Sequence, residues 1–179
     1  KLINYNTTLS AYYSTSSILG YTLVDDKLYV NSYSYLGTDS INLIFPKYVL
    51  INGSYYTPYG ITGTPFSGKT NISSVYLNDG LVEISSGAFG EATSITNVYF
   101  GNTFATLIAN DGGRLDAFFM DDSDKMDDIT FHLAEGSSVD TSKWYCYKSW
   151  LFVYTYHNYD SSRFSYYSGS INSYVNLIF

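Results

Sequence analysis

Apolar positions in the middle of this chain recur twice in one order. Ile61 to Leu77 (ITGTPFSGKTNISSVYL) and Ile84 to Phe100 (ISSGAFGEATSITNVYF) align without a gap, with identities at Ile61/Ile84, Phe66/Phe89, Thr70/Thr93, Ile72/Ile95, Val75/Val98 and Tyr76/Tyr99. Most of the identical residues are large and apolar, and Ser, Thr, Gly and Asn separate them. A fixed period of this size predicts a stacked-repeat architecture, in which one unit cannot bury its apolar face without its neighbour. Within each copy Val75 and Leu77, or Val98 and Phe100, alternate with Ser74 and Tyr76, or Asn97 and Tyr99. That period of two predicts short strands whose aliphatic side chains point into the core while the intervening residues point out.

Ile72, Val75 and Leu77 stand as I-x-x-V-x-L, and Ile95, Val98 and Phe100 as I-x-x-V-x-F, the spacing of a leucine-rich-repeat strand. In the same register, Leu43, Ile44 and Phe45 form an upstream copy; Met126, Ile129, Thr130 and Phe131 form a downstream one. Strand ends then fall at Phe45, Leu77, Phe100 and Phe131, and the interval from Leu77 to Phe100 is the shortest of the three. The longer intervals predict insertions of about eight or nine residues, around Asn52–Tyr59 and Asn110–Phe119, which in repeat arrays become loops on one face. Outward columns are expected to contain Asn42 and Ile44, Ser74 and Tyr76, Asn97 and Tyr99, and Asp128 and Thr130. Tyr76 and Tyr99 are expected to stack.

Leu81, Ile84 and Phe89 extend the apolar column, and the full pattern I-x-x-x-[AP]-F-x-x-x-T-x-I-x-x-V-[YF]-[LF] resembles BspA-type leucine-rich repeats. Tyr21 to Val30, followed by Tyr35-Leu-Gly-Thr-Asp-Ser, resembles the hairpin that often opens such arrays. Phe131 to Asp140, with Lys143-Trp144, is similar to the segment that often closes them. The resemblance covers roughly residues 21 to 150, and Ser40 departs from it where a core aliphatic is expected. It implies a secreted or cell-surface microbial protein that engages host matrix, another cell or a glycan.

Composition sharpens the fold more than the function. The 179 residues suffice for one domain with a real core, and 21 Tyr and 11 Phe amid many Ser, Thr, Asn and Ile favour strand over helix. No apolar run approaches the roughly 20 residues of a membrane span, so a soluble chain is expected. Lys1 in place of an initiator predicts a segment processed or excised from something longer. A net charge of −7, with nine basic residues scattered singly, argues against nucleic acid, which needs a positive stripe. One cysteine, Cys146, excludes an internal disulfide framework and a thiolate-rich zinc site, and within Trp144-Tyr-Cys-Tyr it reads as a packed thiol.

Gly63-Thr-Pro-Phe-Ser-Gly-Lys-Thr70 matches G-x-x-x-x-G-K-T literally. A phosphate-binding loop needs a buried strand before it and a helix after it, whereas loop-like sequence precedes Gly63 and a strand followed by a turn succeeds Thr70. Phe66 and Thr70 also recur as Phe89 and Thr93, so the repeat explains the spacing and no nucleotide is expected. Asp122, Asp124 and Asp128 in the acidic run before the fourth strand are weak calcium candidates, but Met126 and Asp127 stand where an EF-hand needs Asp or Asn and then Gly. The expectation is a solvated turn and no metal. His132 and His157 lie among apolar and aromatic neighbours with no nucleophile motif, paired histidines at zinc spacing are lacking, and neither Glu83 nor Glu135 belongs to a motif that pairs carboxylates.

The sequence therefore predicts a right-handed, β-rich leucine-rich-repeat solenoid with short parallel strands, an irregular convex side and little helix. Residues 1–20 form an N-terminal cap, 21–135 the array and 136–179 a β-rich C-terminal cap. In that cap, Leu151 to His157 and Arg163 to Tyr167 form strands about an Asn158 turn, with Tyr174 to Phe179 as a third. The core comprises Ile61, Phe66, Ile72, Val75, Leu77, Ile84, Phe89, Ile95, Val98, Phe100, Ile129 and Phe131. The expected function is non-catalytic, cofactor-free binding of protein or glycan at an extracellular or cell surface. Its strand face carries Tyr76, Tyr99, Ser74, Asn97, Asp128 and Thr130. Asn6, Asn52 and Asn71 head glycosylation sequons that matter only in a secreting eukaryote. A self-assembling segment of a fibre, layer or phage-like appendage is the alternative, and a glycan-processing enzyme the third reading.

Overall fold

The computed structural model describes residues 18–101, 128–136, 145–148, 154–157 and 161–169. Among them the chain is β-rich: it has no α-helix, and its single helical turn is the three-residue 3-10 segment Ser161–Arg163. No helix among the described residues is long and apolar enough to cross a membrane.

A hairpin of β1 (Leu19–Val24) and β2 (Lys27–Tyr33) opens the described chain. Val24 pairs with Lys27, so two residues make the turn, and both Asp25 and Asp26 have positive φ (49° and 62°). Such a turn matches the right-handed twist of the flanking strands. β3 (Ile41–Ile44) follows, then a second hairpin of β4 (Val49–Ile51) and β5 (Ser54–Tyr56). Its turn is Asn52-Gly53, again with both φ values positive. The first expected insertion is thus a small antiparallel hairpin centred slightly earlier than Asn52–Tyr59. The second, Asn110–Phe119, lies outside the described residues.

From there the chain alternates between two sheets. β6 (Pro58–Ile61) and β8 (Glu83–Ile84) belong to a four-stranded sheet ordered β1-β2-β6-β8. β7 (Ile72–Leu77) and β9 (Asn97–Phe100) join β10 (Thr130–Ala134) and β13 (Phe164–Tyr167) in a five-stranded sheet ordered β13-β10-β9-β7-β3. All pairings in the larger sheet are parallel, and so are β2-β6 and β6-β8. Both ladders advance by the same step, the one that separates the two sequence copies. Ile61 pairs with Ile84 in the small sheet, and Ser74, Val75, Tyr76 and Leu77 pair with Asn97, Val98, Tyr99 and Phe100 in the large one.

One contiguous core joins the two sheets. It includes Val30, Ile61 and Ile84 from the small sheet, Leu43, Ile72, Val75, Leu77, Val98, Phe100, Phe131 and Leu133 from the large one, and Phe66, Phe89, Ile95 and Ile129 from the connections. Every residue of the expected core is buried. Phe66 stacks on Phe89 and meets Phe45 edge-on at 5.7 Å, so equivalent positions of successive units touch. Asn78, buried at the end of β7, donates from Nδ2 to the Phe45 carbonyl at 2.8 Å and ties that unit to the one before it.

The fourth strand differs from its expected register. Phe131 lies opposite Val98 rather than Phe100, and β10 runs on to Ala134, so the strand ends later than expected. A slip of two preserves the inward and outward parity of a strand, and Phe131 and Leu133 are both buried, so the apolar pattern is satisfied either way. The C-terminal pairing also differs. β12 (Tyr154–His157) pairs antiparallel with β11 (Tyr145–Lys148), while β13 leaves that segment to add a parallel strand beside β10. Residues 1–17, the third C-terminal strand and the acidic run before Asp128 lie outside the described residues.

Candidate functional site

The outer face of the large sheet carries two rows. One is Asn42, Ser74, Asn97 and Thr130; the other is Ile44, Tyr76, Tyr99 and His132. Tyr76 and Tyr99 stack with centroids 4.3 Å apart and planes 5° apart, as expected from their shared register, and His132 continues the stack at 4.1 Å and 8°. The slip in β10 puts His132 there, where Thr130 was expected, and places Thr130 beside Asn97. Asp128 drops out of the rows to an exposed turn ahead of the strand.

Burial changes what this face offers. Tyr76 is only 5% exposed and forms a second, smaller apolar cluster with Ile44, Ala134 and Tyr167, whose hydroxyl donates to the Phe100 carbonyl. It is a packed residue, not the open platform expected of it, because β13 brings Tyr167 onto the same face. Burial, followed by Tyr99 beside it, pushes the Tyr76 hydroxyl well above the ordinary tyrosine range. Ser74, Asn97, Tyr99 and Thr130 are half-buried. His132 Nε2 bonds Asn97 Oδ1 at 2.9 Å; with Asn97 Nδ2 donating to Thr96 Oγ1, the carbonyl accepts and Nε2 is assigned the proton. Burial lowers the His132 pKa and favours this neutral form.

The Gly63–Thr70 segment is a chain of turns followed by β7, not by a helix. Its four central amides are engaged inside the protein. Phe66 and Gly68 donate to the carbonyls of Ala88 and Gly90 in the next unit at 3.0 and 2.7 Å, and Ser67 and Lys69 donate to Thr64 and Phe66. Lys69 Nζ lies 5.8 Å from the centre of the Tyr33 ring. The loop therefore links units, and its donors do not converge on a phosphate. Of the calcium candidates, Asp122 and Asp124 lie outside the described residues. Among the described residues no three His, Cys, Asp or Glu side chains gather at metal-binding distance.

A second constellation, on the small sheet, was not read from the sequence. Tyr29, Gly60 and Glu83 form one row across β2, β6 and β8. Gly60 has no side chain between the other two, so the Tyr29 ring lies across it and its hydroxyl donates to Glu83 Oε2 at 2.9 Å. Tyr59, beside the bulge in β6, meets Tyr29 edge-on at 5.7 Å, and Lys27 Nζ sits 4.1 Å from the Tyr59 ring centre. Hydrogen bonding to Tyr59 raises the Lys27 pKa against the opposing effect of desolvation. Desolvation first, then the bond to Glu83, raises that of Tyr29. Beside this row opens a cavity of about 600 Å3 lined by Val24, Tyr29, Ile61, Thr62, Glu83, Ile84 and Ser85.

The available signal for this site was slight. Lys27-Leu-Tyr-Val alternates cleanly, which places Tyr29 outward, but nothing local joins it to Glu83, which lies two strands further along the same sheet. Comparison of the chain with protein-family models, with curated proteins and with solved structures finds no match.

Proposed function

We propose that this chain is a non-catalytic binding and adhesion module of a secreted or cell-surface protein, built as a BspA-like leucine-rich-repeat solenoid. The carrying observation is the common step of the two ladders: the displacement that pairs Ile61 with Ile84 in β6-β8 is the one that pairs Val75 with Val98 in β7-β9. A chain that returns to each sheet after one fixed interval stacks like units, and a parallel crossover of this kind takes the right-handed sense. Stacking repeats one outward row after another, which suits recognition of an extended protein or glycan surface. The titratable groups support binding over catalysis. His132 is committed to Asn97 and Tyr99, and Glu83 to Tyr29.

Self-assembly is the second reading, favoured by the β4-β5 hairpin. Its cross-strand pair Leu50 and Tyr55, with Tyr48 just before β4, is 45%, 65% and 55% exposed, an apolar patch suited to packing against another copy. A glycan and extracellular-matrix array, read beside light scattering, separates the two. Binding at constant monomer mass, weakened by Tyr99→Ala in a folded chain, supports the module and places recognition on the large sheet. An empty array with a mass that grows with concentration supports assembly. Tyr76 is left intact in this test, because its removal opens the second apolar cluster.

A further inference from the structure

We propose that the cavity beside Tyr29 and Glu83 is a saccharide subsite that takes one neutral hexose of a glycan; this deepens, and rests on, the binding-module reading above. Its size, about 600 Å3, falls within the roughly 300–1,000 Å3 of small-molecule sites. Its lining has the two parts that a pyranose needs. Val24, half exposed, and the Tyr29 ring supply apolar surface for the C–H face of the sugar, while the Glu83 carboxylate and the Thr62 and Ser85 hydroxyls meet its rim of hydroxyl groups. A carboxylate only accepts hydrogen bonds and a sugar hydroxyl donates, so Glu83 selects a polyol and repels phosphate or carboxylate ligands.

Charge narrows the class further. Lys27, whose Nζ lies 4.1 Å from the Tyr59 ring centre, is coupled electrostatically to Tyr29 and Glu83 and repels a second cation there. The ligand that remains is neutral and rich in donors. The site is also held in shape before anything binds. Tyr29 is anchored to Glu83 at 2.9 Å, and a Cβ at Gly60 would come within 2.9 Å of Tyr29 Cε1 and 3.0 Å of the Glu83 backbone carbonyl oxygen, so only glycine lets the ring lie where it does. Among the described lining residues Glu83 is the one carboxylate, and glycoside hydrolysis ordinarily requires two. The cavity therefore holds a sugar without cleaving it.

Saturation-transfer difference NMR on the whole chain tests this with the methyl glycosides of glucose, galactose, mannose and N-acetylglucosamine, alongside methyl phosphate and Nα-acetyl-lysine methylamide. At least one glycoside is expected to receive saturation at its ring C–H protons. Glu83→Gln and Thr62→Val, each shown to be folded by its melting transition, are expected to weaken that binding, Glu83→Gln by roughly tenfold, the scale of one charge-assisted hydrogen bond. Transfer to none of the glycosides, preference for either charged probe, or equal transfer in folded Glu83→Gln overturns the proposal. Array binding that survives Glu83→Gln while no glycoside receives saturation removes this cavity and leaves the module reading standing. An empty array beside Glu83-dependent glycoside transfer keeps the cavity and removes adhesion.

Discussion

Phe66 and Phe89 lie face to face in the core, ring centroids 4.7 Å apart and planes inclined by 12°. They occupy the same position in successive units, and neither has any exposure. The stack is the side-chain counterpart of the backbone bonds that the Gly63–Thr70 loop makes to Ala88 and Gly90, so the two units are joined at one level by ring and by amide.

Phe89→Ala should therefore cost about 3–5 kcal/mol, the usual penalty for emptying a buried phenylalanine site. It removes the stacking partner of Phe66 and opens a cavity in the core. Urea denaturation followed by tyrosine fluorescence measures it. A loss under about 1 kcal/mol would mean that the stack carries no load and that the units are held together elsewhere.

Lys69→Ala tests the loop that imitates a nucleotide site. Its ammonium lies 5.8 Å from the centre of the Tyr33 ring, a contact worth about 0.5–1 kcal/mol at an accessible position. A small fall in stability is expected, with no heat of Mg-ATP binding in either form of the protein. Calorimetric ATP binding that disappears with Lys69 would contradict the loop's role as a link between units.

Much of this architecture was legible because its period is carried by large residues. Phe66/Phe89 and Val75/Val98 announce the stack, and the observed register pairs Val75 with Val98 as the alignment does. Register was lost where parity alone had to decide it: a slip of two leaves both Phe131 and Leu133 inside, so nothing in the pattern opposed the earlier ending of β10. Outwardness was legible too, but exposure was not. Tyr76 points away from the main core as its alternation says, yet Tyr167, arriving from the far end of the sheet's chain order, packs against it. The Tyr29–Glu83 site was hidden for a related reason. Its organising residue is Gly60, whose contribution is the absence of a side chain, and that has meaning only once the two neighbouring strands are in place.

Gly60→Ala follows from that geometry. The added methyl would lie 2.9 Å from Tyr29 Cε1, 3.0 Å from Glu83 Cβ and 3.0 Å from a backbone oxygen, so the ring must lift and the strand must yield. Overpacking of this kind costs about 1–3 kcal/mol. A double-mutant cycle makes the claim sharper: Tyr29→Phe should lose stability in the parent and lose less in the Gly60→Ala background, where the bond to Glu83 is already disturbed. Strict additivity would show that Gly60 and the Tyr29–Glu83 bond are independent.

His132 makes the large sheet sensitive to mild acid. Its ring is stacked on Tyr99, its Nε2 is assigned as donor to Asn97, and burial lowers its pKa below the ordinary value of about 6.5. Between that lowered value and about 6.5 the unfolded chain binds more protons than the folded one, so stability falls as the pH drops through this window and is fully present above it. Neither neighbour in its row, Tyr99 or Ser165, is a carboxylate that would hold the imidazolium in place. His132→Gln retains a donor for Asn97 but has nothing to titrate. Urea midpoints on either side of that window should therefore differ more in the parent than in the variant, the carboxylates contributing alike to both. If the two proteins lose the same stability, His132 is not the group that responds, and the stack tolerates a charged ring.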